Sequence, residues 1–204
     1  MDWYAGLPVY RYYMVVPALF IVALNFVLPY GIAIKIAAVI GILTLPYCTW
    51  LFGRFARFAY PIPEMLSIAA TIFLYDESFT IYGGNIASTM AGEFSFSIAL
   101  SLSILGFALV ARGLETGKYL AAGSIVVALS ALSHGIVLLF VFGGVALMLL
   151  FWIQRKADGI RDNTSIVFGV KVVALAVLLS AFWVIPFVTS HAYMTDMKYE
   201  PRPS

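Results

Sequence analysis

Tyr119–Ile153, YLAAGSIVVALSALSHGIVLLFVFGGVALMLLFWI, runs 35 residues without an Asp, Glu, Lys or Arg. As a single helix it would measure about 52 Å, at about 1.5 Å per residue. The hydrocarbon core of a bilayer is only about 30 Å thick. The run therefore predicts two helices, 119–133 and 136–153, folded back at its polar break, Ser133-His134-Gly135. This reading puts the chain in a membrane and a histidine at a turn.

The composition agrees. Hydrophobic residues make up 63% of the chain and charged residues 11%, against about 45–50% and about 25% in soluble domains. Mean hydropathy is +0.99. The net charge is +2 and there is no basic tract, which argues against nucleic acid as a partner. A single cysteine, Cys48, rules out a disulfide within the chain. Met1 is followed by an acid and an aromatic Gly/Pro segment, so no signal peptide is expected. The chain opens in loop and stops in the polar tail Tyr193–Ser204, which reads as a piece of a longer polytopic protein.

Outward from the central run, further apolar segments fall at 12–28, 32–52, 60–75, 94–111 and 165–188. The expected fold is all-α: one integral membrane module over 1–204, a transmembrane helical bundle of about six or seven segments. The first segment holds Pro17 and Asn25 and is about 17 residues long, the lower limit for a span. It reads either as a span or as a juxtamembrane or re-entrant piece. Lys35 and Lys171 can snorkel, and Glu64 reads as a first-turn helix acid. The last segment closes on Phe182-Trp183-Val184-Ile185-Pro186-Phe187, an aromatic belt with a helix stop.

Basic residues collect in three turns, 53–57, 112–118 and 154–163. Lys and Arg in short loops mark the cytoplasmic side. The loop 76–93, the Ser-His-Gly turn and the C-terminal tail then share the external side. The sequon at Asn163-Thr-Ser165 falls on the cytoplasmic side by this reckoning and is discounted.

The loop 76–93 is the longest polar break. It carries Asp76, Glu77 and Glu93 and no Lys or Arg. Glu93 stands at the start of an apolar helix. There it serves the helix dipole or acts as a general base facing an external cavity. Asp76 and Glu77 are adjacent and would not point one way, so they read first as a solvated helix end. Asp76 remains a candidate for substrate contact. Asn85 follows Gly83-Gly84, which suits a turn or a sugar hydroxyl meeting the amide's donor and acceptor. His134 is an inexpensive polar group at an interface, a ligand for a lipid-linked phosphate, or a residue that orients Glu93. Arg11, among Tyr10, Tyr12 and Tyr13, is an interfacial anchor or a phosphate grip. No His-x-x-x-His or His-Glu-x-x-His pattern marks a metal site. A divalent cation on the carboxylates is the one cofactor the residues suggest.

Several stretches resemble a family of bacterial and archaeal polytopic membrane proteins labelled 6-pyruvoyl-tetrahydropterin synthase-related. Trp3-Tyr-Ala-Gly-Leu-Pro-Val-Tyr-Arg-Tyr-Tyr13 resembles its Gly/Pro/aromatic loop. Tyr82-Gly-Gly-Asn-Ile-Ala-Ser-Thr-Met-Ala-Gly-Glu-Phe-Ser-Phe-Ser97 resembles its Gly-Gly-Asn to Gly-Glu loop, and Leu132-Ser-His-Gly135 its small-residue/His turn. Ala181–Phe187 and Tyr193–Met197 resemble the segment beyond its last core helix. That family is similar in layout to the GT-C membrane glycosyltransferases, which use polyprenyl-phosphate-linked sugars at the outer face. The resemblance implies a GT-C-like partial module in the plasma membrane, with the bilayer and a polyprenyl-phosphate sugar as its partners. It also implies an essential acid in the first external loop. Either Asp2, the only acid far enough upstream, serves as that acid, or the acid is missing from these 204 residues. A transporter or flippase for a lipid-linked precursor and a non-catalytic membrane scaffold are the rival readings.

Overall fold

The computed structural model describes residues 14–78, 83–155 and 163–190. Asp2 and Arg11 lie outside them. The described residues contain helices and turns and no strand. Helix α1 spans Val15–Asn25, α2 Tyr30–Phe55 and α3 Ile62–Leu74. A short helix α4, Ile86–Ser88, passes through a π turn, Thr89–Glu93, into α5, Phe94–Thr116. Helices α6, Leu120–Ser133, α7, Gly135–Arg155, and α8, Asn163–Thr189, follow.

Four of these stretches are long and apolar enough to cross a membrane: Tyr30–Phe55, Ile86–Thr116, Gly135–Trp152 and Thr164–Thr189. That makes the chain a membrane protein. The apolar helices α1, α3 and α6 are shorter. Large side chains on the outside are apolar, as a lipid-facing belt requires. Leu43, Ile72, Leu139, Leu147 and Leu178 are all between 67% and 73% exposed.

The long apolar run is broken at His134. Its backbone is extended (φ −155°, ψ 119°) between two helices. Its N–H still donates to Ser130 O at 3.2 Å, and its carbonyl accepts from Val137 N at 3.2 Å. Gly135 next to it faces the ring edge of Trp183, which a Cβ there would meet at an ordinary contact distance of 3.7 Å. Helix α7 then runs back along α5 and α6. Its Val137, Val141 and Val145 enter the main core with Ala99, Val110, Val127 and Val172.

Bilayer-buried helices gain little from hydrophobicity against lipid and associate through close backbone contact and interhelical hydrogen bonds. Helix α2 offers Ala33, Ala37 and Gly41 at every fourth position, all buried. A Cβ on Gly41 would collide with the Ser97 backbone. Below that contact Thr44 Oγ1 and Ser101 Oγ hydrogen-bond at 2.8 Å. On the other side of α5, Ser103 Oγ and Ser130 Oγ are 2.7 Å apart, and Ser130 Oγ donates to Ala99 O at 2.9 Å. Serines at 95, 97, 101 and 103 thus line two buried faces of one helix.

Three differences from the sequence reading bear on the site and its surroundings. Helix α1 keeps only 11 residues of the 12–28 segment, about 16 Å of helix. It lies against α2 instead of crossing the bundle alone. Helix α5 continues through the 112–118 turn to Thr116 and stops at Gly117 (φ 67°). The loop 76–93 is itself partly helical from Ile86.

The basic turns meet at one end. Glu115 Oε2 takes Arg57 Nε at 2.8 Å and Arg112 Nη1 at 3.1 Å. The end of α7 and the start of α8 join them: Trp152 Nε1 donates to Ser165 Oγ at 3.0 Å, and Ser165 Oγ to Leu114 O at 3.1 Å. Residues 156–162 of the third basic turn lie outside the described residues.

Candidate functional site

Glu93 and His134 come together at the opposite end. Glu93 Oε2 lies 3.7 Å from His134 Nε2. That is too long for a hydrogen bond and short enough for a charge interaction once the ring is protonated. Glu93 is the N-cap residue of α5, yet its side chain makes no capping hydrogen bond. It lies beside the imidazole, and 34% of its side chain stays exposed. His134 is 7% exposed and lies between α6 and α7, outside the four long apolar stretches. Burial pushes its pKa below the ordinary value, and the nearby Glu93 charge pulls the other way. Burial has the larger effect, so the ring is neutral at pH 7 and able to exchange a hydrogen bond or a proton.

The turn preceding Glu93 is built by Asn85. Its Oδ1 accepts from Ser88 N at 2.8 Å, an N-cap. Its Nδ2 donates to Asp76 O at 2.6 Å, closing the loop on itself. Its carbonyl accepts from Thr89 Oγ1 at 2.6 Å. Asn85 is 3% exposed. Both ends of the amide have protein partners, so the side chain acts here as a joint.

Gly83 and Gly84 have φ of 84° and 93°, in the left-handed region that favours glycine. A Cβ on Gly83 would enter the ring of Phe96. Phe96 in turn meets the His134 imidazole edge-on at 5.2 Å between centroids. The diglycine therefore lets the loop close onto Phe96, and Phe96 holds the imidazole in place. Gly92 (φ 122°) makes the kink that delivers Glu93 from the π turn.

Asp76 joins this assembly through its backbone carbonyl. Its carboxylate forms an Asx turn, Oδ1 accepting from Ser78 N at 2.9 Å. The Ser78 side chain and backbone hold its carboxyl below the ordinary range. Glu77 is exposed. Glu64 sits elsewhere, its Oε1 accepting from Trp50 Nε1 at 3.2 Å. No three His, Cys, Asp or Glu side chains cluster as a metal set among the described residues.

A cleft of about 550 Å³ lies at the start of α5. It is walled by Ala18, Leu19 and Val22 of α1, Tyr30 and Ile34 of α2, and Phe94. The walls are apolar and Tyr30 supplies a hydroxyl. Phe94 is the residue next to Glu93, so the cleft and the acid share a backbone step.

The sequence points to Glu93 and His134 and to a link between them, but not to Phe96, Gly92 or the Thr89–Ser97 hydrogen bond that ties the π turn to α5. The alternation of Ser95, Phe96 and Ser97 was the signal available for these. No protein-family model, curated protein or solved structure matches the chain.

Proposed function

We propose that this chain is a GT-C-like module of six or seven membrane segments in the plasma membrane. It transfers a sugar from a polyprenyl-phosphate donor to a cell-envelope acceptor at the outer face. The observation that supports this reading is the Glu93–His134 pair. It is a carboxylate free of any capping hydrogen bond, beside a buried imidazole, one residue from the Phe94 wall of an apolar cleft and remote from the basic turns.

In this reading the acceptor hydroxyl attacks the anomeric carbon of the donor sugar. Its proton passes to Glu93. The bond from the anomeric carbon to the phosphate oxygen breaks, and polyprenyl phosphate leaves with that electron pair. His134 positions the Glu93 carboxylate and meets the phosphate. The apolar cleft takes the nearest part of the polyprenyl chain. Transport of a lipid-linked precursor has less support. Lys35 is exposed, and Glu64 is held by Trp50 near the basic end, so neither lines a central pathway.

The test is transfer from labelled polyprenyl-phosphate sugars by the purified protein in proteoliposomes. Wild type should form product, and Glu93→Gln should lose about 10²–10⁴-fold in rate. A wild-type rate in that variant removes Glu93 from the mechanism. Movement of intact donor with no bond cleaved would favour transport.

A further inference from the structure

A second cleft, of about 290 Å³, lies at the basic end between the ends of α2, α5 and α7. It is near the lower size limit of ligand pockets. Phe52, Phe58, Leu114, Met148 and Phe151 make its walls apolar. Phe151 is 68% exposed, so the cleft opens sideways onto the same apolar surface as the lipid-facing belt. Glu115 is its polar lining residue and carries both Arg57 and Arg112 on a single oxygen.

Two guanidiniums against one carboxylate leave a surplus positive charge at the mouth. Arg57 spends Nε on Glu115, and 62% of its side chain is exposed. Its terminal nitrogens can therefore take a further oxyanion, in the fork geometry that suits phosphate. An apolar slot open to lipid, with a spare guanidinium at its rim, matches an amphiphile with an anionic head. A free phosphate would leave the aromatic walls unused. A zwitterionic lipid would gain less from the charge.

We propose that this cleft binds an anionic glycerophospholipid, one acyl chain between Phe52, Met148 and Phe151 and its phosphate on Arg57. The proposal is independent of the transfer reading above.

The experiment is native mass spectrometry of the full chain released from vesicles containing equal phosphatidylglycerol and phosphatidylcholine. Wild type should retain phosphatidylglycerol in preference. Arg57→Gln should reduce that preference about fivefold, the effect of one basic residue near an anionic surface. Arg57→Lys, whose single nitrogen cannot hold Glu115 and fork a phosphate together, should keep only part of it. Met148→Trp, which fills the slot, should lower retention of both lipids. Equal retention of the two lipids by wild type overturns the proposal and needs no variant that might misfold. So does an unchanged preference in Arg57→Gln, a dimer without bound lipid, or complete displacement of the lipid by inorganic phosphate.

Discussion

Glu93 Oε2 stands 3.7 Å from His134 Nε2, although one residue opens α5 and the other separates α6 from α7. Nothing local brings them together. The pairing depends on α6 returning along α5 and on the Gly92 kink turning the π segment toward the bend. His134→Gln keeps a polar side chain at the bend and removes the titrating ring. It should lower transfer by less than Glu93→Gln and change the shape of the pH–rate profile. An unaltered profile would show that the imidazole has no part in the reaction.

The same histidine sets a pH dependence of stability. Its folded pKa lies below the unfolded value of about 6.5. For a base this means the unfolded chain binds the proton more readily. Stability is therefore full above about pH 6.5 and falls as the pH drops from there through the lower folded value. Among the described residues Glu93 is the charged group that faces the ring, and it moderates the loss. Thermal melts in detergent between pH 7.5 and 5 should show the decline, and His134→Gln should flatten it. Equal slopes for the two proteins would contradict the assignment.

Asn85 caps α4 and closes the loop to Asp76 at the same time. Asn85→Ala should cost about 1 kcal/mol for the lost cap, and more for the part-buried bond that the Asp76 carbonyl loses. Asn85→Asp keeps the cap acceptor but buries a carboxylate with one oxygen against the Asp76 carbonyl, so it should destabilise at least as much as alanine. Chemical or thermal unfolding of the three proteins gives the order.

Gly41 is the contact point of α2 and α5. Any Cβ there meets backbone of Ser97 and Ile98, which cannot rotate away. Gly41→Ala should destabilise by about 1–3 kcal/mol as an overpacked contact. Gly31, which has open space around it, is the matched control, and Gly31→Ala should be close to neutral. The difference in melting temperature between the two variants is the measurement.

Sidedness can be read by thiol labelling, since the native Cys48 is buried. Glu77→Cys and Lys118→Cys place thiols at exposed positions, one near the Glu93–His134 end and one at the basic end. An impermeant reagent applied outside intact cells should label position 77 and spare position 118. Labelling of both from one side would break the two-ended arrangement.

Much of the architecture was legible in the chain. The 35-residue uncharged run is too long for one helix across a bilayer, and His134 is where it breaks. The grouping of Arg57 and Arg112 at one end was legible from charge in short loops. Such features are local: helix length and loop charge depend on neighbours in sequence. The short helix α1 was left open between a span and a juxtamembrane piece, because Pro17 and Asn25 weaken a span without excluding it.

Tertiary structure decided the rest. That Glu93 turns to an imidazole instead of capping its own helix depends on which helix lies beside α5. No periodicity encodes that choice. The diglycine reads equally as a turn or a binding loop until Phe96 is seen against Gly83 on one side and His134 on the other. Asn85 reads equally as a ligand or a cap until its two amide partners are known. These side chains draw their roles from groups distant in sequence, and only packed helices bring those groups within reach.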